Sequence, residues 1–195
     1  MLKRDAIEAI GFAAIGTDVQ ISEHARFYGA SRIILGNHVR IDDFCVLSAG
    51  AGGIRIGNHI HIAVYSSLIG QGEIILSDFC NISSRVSIYS SSDDFSGESM
   101  TNPIIPSEFK NVFNAPVRLG KHVIIGTGSV ILPGVNIAEG VAIGALSFIK
   151  HDCLAFGIYA GNPAKRIKER KRDLLALETR LLANGNPSST ILESL

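Results

Sequence analysis

The stretch GVNIAEGVAIGALSFIKHDC, residues 134–153, carries isoleucine at every sixth position: Ile137, Ile143 and Ile149, with Ile131 just ahead of it. A helix returns to its buried face every ~3.6 residues and a strand every ~2, so neither element alone gives this period. A repeat of six needs a short strand, a turn and another short strand, at fixed intervals.

Extended along the chain, the rule picks out Ile15, Ile21 and Phe27; Leu35, Ile41 and Leu47; Ile56, Ile62 and Leu68; Leu76, Ile82 and Ile88; Leu119, Ile125 and Ile131; and Ile137, Ile143 and Ile149. The phase slips only after the third member of a group: by two residues after the hexad of Phe27, three after that of Leu47, two after that of Leu68, and by a long insertion after that of Ile88. Breaks confined to one corner imply an all-β fold, a triangular solenoid of six parallel coils over residues 15–154, with insertions leaving from one edge. The longest insertion is a flap over 91–116. Residues in the same slot of successive coils then form columns, spaced about 4.8 Å apart. Glycine recurs in the second slot (Gly16, Gly36, Gly57, Gly120, Gly126, Gly144), where a tight corner and close stacking explain it. The run AGAGG, residues 49–53, reads as a widened corner at the insertion edge rather than a nucleotide cradle, because no strand-to-helix context follows it.

A solenoid has two open ends that need covers. Residues 1–14 are expected to cap the first coil, with Leu2, Ala6, Ile7 and Ile10 at helical spacing and Gly11 as a stop. Residues 155–195 are expected to form a loop, a longer helix with a Leu174, Leu177 and Leu181 stripe stopped by Gly185, and a tail. The basic run KRIKERKR has the plain reading of a solvated helix start.

Charge is balanced, with 18 basic and 18 acidic residues, so no global field steers the chain to nucleic acid or to an anionic membrane surface. No apolar run reaches the ~20 residues that span a bilayer. Three cysteines, Cys45, Cys80 and Cys153, are unpaired in number and far apart, which argues against a disulfide framework or a zinc knot. They read as small buried apolar residues in a reducing compartment, and the chain as soluble and cytoplasmic. Among the histidines, His38, His59 and His122 share one column with Phe79, read as exposed, solvated surface rather than a metal site. His61 stands in a different column between Arg40 and Asn81. It is either a hydrogen-bonded surface histidine or a general base, since imidazole titrates near neutrality.

The hexads, the run VIIGTGSVILPGVNIAEGVAIGALSFIKHDC and the closing IYAGNPAKRIKER resemble the hexapeptide-repeat acyltransferases, over roughly residues 33–170. Within them the chain is most similar to sugar O- and N-acetyltransferases of surface-polysaccharide biosynthesis. The resemblance implies a left-handed parallel β-helix, a homotrimer with active sites between neighbouring prisms, acetyl-CoA as acyl donor, a small sugar acceptor and no metal. It implies that backbone at Gly126, Thr127, Gly144 and Ala145 holds the pantetheine arm and that Lys150, Lys165, Arg166 and Lys168 face the nucleotide phosphates. It also favours His61 as the base. Relatives with a loop histidine after a segment like IYSS find Asp93 in that position here, with Asp94 beside it. Like-charge repulsion from Asp94 would raise the Asp93 pKa. Asp93 and Asp94 are therefore expected to orient the acceptor or the imidazole. Transfer to another small acceptor, such as an antibiotic hydroxyl or serine, and an inert trimeric scaffold are the alternatives.

Overall fold

The computed structural model describes residues 1–184. Every hexad position lands where the period places it. Leu35, Ile56, Leu76, Leu119 and Ile137 align on a first face; Ile41, Ile62, Ile82, Ile125 and Ile143 on a second; Leu47, Leu68, Ile88, Ile131 and Ile149 on a third. All the ladders within the prism are parallel, and these fifteen side chains are sealed in the core. Each contributes roughly 1.5–3 kcal/mol by leaving water. The period is thus the core itself, read in sequence order.

The coil is left-handed, and its corners show how L-residues manage that. Asp18, His38, His59, Phe79 and His122 occupy successive levels of the corner between the first and second faces, each with φ between 52° and 62°. Phe44, Tyr65, Arg85 and Leu146 do the same between the second and third faces. Such a backbone costs a non-glycine residue about 1–2 kcal/mol. Ring stacking offsets part of the cost: centroids are 4.5 Å apart for His38 and His59, 4.9 Å for His59 and Phe79, and 5.0 Å for Phe79 and His122. The histidine column is therefore half-buried, not the exposed surface expected, because its members lie flat on one another. Glycine is needed where coils touch: a Cβ on Gly36 would sit 2.5 Å from the Gly57 carbonyl oxygen.

The first helix, α1 (Arg4–Glu8), is shorter than the 2–10 stretch that the spacing suggested, and only Ile7 of its apolar set is fully buried. The other end differs more. A seventh turn begins with Cys153 bridging to Ile137 and Tyr159 aligning with Ile143. IYAGNPAKRIKE then closes as an antiparallel hairpin of Gly157–Gly161 and Ala164–Glu169. KRIK is thus strand, not helix start, because the second-face sheet has an unpaired edge that a strand satisfies and a helix does not. A second helix, α2 (Asp173–Ala183), docks through Leu174, Leu175, Glu178 and Leu182, while Leu177 and Leu181 of the expected stripe face outward. Gly185 as its stop, and the tail, lie outside the described residues. All three cysteines are buried and free, and burial pushes their thiols up, to about 11 for Cys45 and Cys153 and about 12 for Cys80. No described helix is long and apolar enough to cross a membrane.

Candidate active site

The insertion leaves the corner between third and first faces and returns on itself. Ser91 and Ser92 pair antiparallel with Asn114 and Phe113, and Met100 bridges to Lys110, so the flap is a built element rather than a slack loop. Asp94 organises its tip. Its carboxylate accepts from the Ser96 N–H at 2.8 Å, the Ser99 N–H at 3.0 Å and the Ser99 hydroxyl at 2.6 Å. Those bonds, from Ser99 and then Ser96, hold its pKa at about 2. That makes Asp94 a structural acceptor, with no capacity left to take protons near neutrality. Asp93 instead lines a groove of about 710 Å³ between the flap and the insertion edge.

The AGAGG corner borders the same groove, and its backbone donors are already used. Gly50 N–H bonds the Gly70 carbonyl and Gly52 N–H that of Gln71, while Arg32 donates from Nε to Gly50 O at 2.8 Å and from Nη2 to Ala49 O at 2.6 Å. The widened-corner reading describes it.

His61 lies on the second face. Its Nε2 is 2.8 Å from Asp42 Oδ2, and Asp42 also accepts from Arg40 Nε at 2.7 Å. The imidazole is 42% exposed and the carboxylate 13%. Burial pushes the Asp42 carboxyl up, but hydrogen bonds from His61 and Arg40 and their charges outweigh it and hold it below its usual value. An ionised, nearly buried carboxylate behind a solvent-facing ring fixes the ring's orientation. The partner expected for His61 was Asp93 or Asp94; within the chain it is Asp42, because Asp93 and Asp94 sit on the flap at the corner between third and first faces. Asp42 was legible as a diagonal neighbour one coil down, beside Arg40 in the His61 column.

Gly126, Thr127, Gly144 and Ala145 stack at the corner between second and third faces, above Ser83 and Ser84 in register. Gly126 packs on the next coil so tightly that a Cβ would lie 2.5 Å from the Ala145 nitrogen. The basic residues do not form one cluster. Lys165 and Lys168 pair with Ala160 and Ile158 and share the outer side of the hairpin, whereas Arg166 pairs with buried Tyr159 on the opposite side and makes an ion pair with Glu169. Lys150 is exposed at the end of the last third-face strand. Two further residues were not legible in sequence: Glu178, held by Lys121 Nζ and His122 Nε2 at 2.6 Å each, and Arg170, which donates to the carbonyls of His122 and Gly140. Among the described residues no cluster of three metal-ligating side chains occurs.

No family model matches the chain. A dTDP-4-amino-4,6-dideoxy-D-glucose acyltransferase of Escherichia coli is 57% identical over 173 residues, spanning 89% of this chain and 90% of that protein. AntD, an N-acyltransferase from Bacillus cereus solved with dTDP and 3-hydroxybutyryl-CoA, superposes with a TM-score of 0.91 at 45% identity, covering 95% of this chain and 97% of that one. An AntD variant with a serine replaced, solved with dTDP-4-amino-4,6-dideoxyglucose and coenzyme A, gives 0.90 at 45% identity over 94% and 97% of the two chains. Other AntD complexes carry a replaced aspartate.

Proposed function

Because the chain belongs to the hexapeptide-repeat, CoA-dependent sugar acyltransferases, we propose that it acylates the amine of a dTDP-linked 4-amino-4,6-dideoxy sugar, with acetyl-CoA as the donor. The observation that carries this reading is the 57% identity to a relative of that name, spread over nine-tenths of both chains, flap and closing hairpin included. The product would enter surface-polysaccharide biosynthesis, and the site of work is the cytoplasm, where thiols stay reduced.

The pantetheine arm runs along the corner column of Gly126, Thr127, Gly144 and Ala145, pairing with backbone. Lys165 and Lys168 on the hairpin's outer side meet the phosphates of the nucleotide, and Lys150 adds charge from the end of the last third-face strand. Ser84, one coil below Thr127, marks where the thioester arrives. The acceptor lies against the flap, its amine held by Asp93, with Asp94 shaping the tip. The amine nitrogen attacks the thioester carbonyl directly; the N–C bond forms, the C–S bond breaks, and the proton lost by nitrogen passes to a base and then to the departing thiolate. His61, backed by Asp42, is that base. His61 stands on the second face and Asp93 at the corner between third and first faces of one prism, so the site is completed in a homotrimer whose seams set the second face and its corner with the third in one protomer beside the flap of the next. The replaced serine and aspartate in AntD complexes support a serine and an aspartate near the reacting groups.

The test is thiol release from acetyl-CoA with dTDP-4-amino-4,6-dideoxyglucose, its 4-hydroxy counterpart, a galactoside and chloramphenicol. Turnover confined to the amino sugar is expected. Equal turnover on the 4-hydroxy sugar or on chloramphenicol would contradict the assignment.

A further inference from the structure

The corner between the first and second faces carries a titratable column that the proposed chemistry leaves unused. His38 and His59 lie face to face, ring centroids 4.5 Å apart at 12°, and Phe79 lies on His59 at 4.9 Å and 2°. His122 continues the stack on Phe79 at 5.0 Å. Both ends meet carboxylates: Asp18 Oδ2 is 3.2 Å from His38 Nδ1, and Glu178 of α2 is 2.6 Å from His122 Nε2. His59, in the middle, has no ion pair.

His59 is also the ring least able to accept a proton. Its Nε2 is sealed from solvent and is the one buried side-chain nitrogen or oxygen among the described residues without a hydrogen bond. A neutral ring leaves a lone pair there, whereas an imidazolium would place an N–H donor with nothing to accept it. The charged groups around the column do not repair this. On one side are His38 and Arg40, which share a hollow with Asp18. Asp78, one residue before Phe79, accepts from the Asn58 N–H at 2.7 Å and from Asn58 Nδ2 at 3.2 Å. On the far side Lys121 lies 5.8 Å from the Phe79 centroid and is committed, with His122, to Glu178. Burial, and then the charge of His38, outweigh the pull of Asp78 and hold the His59 imidazole below its ordinary 6.5. A proton that enters the pair therefore rests on His38, beside Asp18.

The backbone here depends on the stack. His38, His59 and Phe79 hold φ of 55°, 55° and 62°, and such a backbone persists only where its surroundings hold it. Each is tied to the coil below by its own N–H, to Thr17 O at 2.8 Å, Asn37 O at 2.9 Å and Asn58 O at 2.9 Å. A charge on His59 beside a charged His38 sets like charges face to face and removes the support that stacking gives. The strand that leaves this corner is Ile60–Ile62, so His61 and its contact with Asp42 follow it.

We propose that the His38–His59 pair is an acid switch: it accepts one proton, at His38, with the corner closed, and a second proton opens the corner and unseats His61 from Asp42. As a switch of the fold it stands apart from the reaction; as a control on turnover it rests on the role proposed above for His61. Because the folded value lies below 6.5, the stabilisation from a neutral His59 is whole above 6.5 and is lost as pH falls from there through the lowered value.

Native-state hydrogen exchange of the full chain from about pH 7.5 to about pH 5, corrected for intrinsic rates, tests it. Protection at the amides of His59, His61 and Phe79 should fall with acid by up to about tenfold per pH unit, the limit for one linked proton, while Ile125 and Ile143 stay protected. His59→Phe keeps a ring in the stack, as Phe79 does one level on, and removes the proton; its protection should be flat over the same range. His38→Phe removes only the neighbouring charge, so its fall should be smaller than that of the wild type. A wild type that is flat, a His59→Phe variant that loses protection as the wild type does, or an equal loss at Ile125 and Ile143 overturns the switch. If His59→Phe fails to fold, an unreduced fall in His38→Phe overturns it. Acid opening that vanishes in His59→Phe, in a protein that does not acylate the amino sugar, upholds the switch and defeats the proposed reaction instead.

Discussion

Glu178 fastens α2 to the solenoid, and Glu178→Ala removes the fastening with little change in shape. The carboxylate is 12% exposed and receives two charge-assisted hydrogen bonds of 2.6 Å, from Lys121 and from His122, whose side chain is 9% exposed. Hydrogen bonds to a charged group are worth about 1.5–3 kcal/mol each, and removing one partner of a buried pair costs about 3–5 kcal/mol. Because Lys121 is nearly half exposed and keeps its hydration, a value near 3 kcal/mol is expected for helix docking. That is about a hundredfold in the local opening equilibrium. Native-state hydrogen exchange at neutral pH reads it directly: amides of Asp173–Ala183 should exchange about a hundredfold faster in Glu178→Ala, while those of Ile62 and Ile82 stay unchanged. Acid should reproduce the effect in the wild type. Burial pushes the Glu178 carboxyl up, but bonds from Lys121 and His122 outweigh it and hold it below its ordinary 4.5. Its stabilisation is therefore complete above that value and is lost as pH falls through the depressed one. Unchanged exchange of α2 in Glu178→Ala would mean that Leu174, Leu175 and Leu182 dock the helix alone, and would refute the reasoning.

Gly36→Ala should abolish soluble folded protein or lower Tm by more than a surface change does, since its Cβ would meet backbone at 2.5 Å in the next coil; an unaltered melting curve contradicts the stacking argument. His61→Ala should lower kcat by ~10² to 10⁴ with coenzyme A binding intact, and Asp42→Asn should lower kcat by a smaller factor, because the ring loses the charged acceptor that fixes its orientation. Full activity in His61→Ala moves the base to Asp93, where Asp93→Asn then shows the larger loss. Asp94→Asn should loosen the flap, seen as faster exchange at Ser96 and Ser99; since its carboxyl titrates at about 2, wild-type flap order should persist until pH falls through that value.

The period of six made the fold legible because, in a coil, each core residue repeats at a fixed chain distance and needs no long-range pairing to be found. Ile62 and Ile82 are neighbours in space for the same reason that they are alike in sequence. The positions of the candidate site were legible where they follow the columns: Gly126 and Thr127 lie at the corner where counting puts them. It was not legible where the chain leaves the prism. Nothing local shows that Asp94 turns into the flap while Asp93 faces the groove, because two adjacent aspartates differ only in which way the backbone turns. The hairpin after Gly157 was misread since KRIKERKR has helix-forming composition, and the open sheet edge that claims it is set by the whole stack. Glu178 and Arg170 act on His122 across more than forty residues, a separation that no periodicity spans.

The central claim is amide formation on a nucleotide-linked amino sugar, and the identity of the product tests it most directly. Purified protein, acetyl-CoA and dTDP-4-amino-4,6-dideoxyglucose should yield one equivalent of free thiol per acylated sugar, with the new acetyl group on nitrogen by NMR and resistant to hydroxylamine. Thiol release without an acylated sugar, or an acetyl group that hydroxylamine removes as an ester, would contradict it.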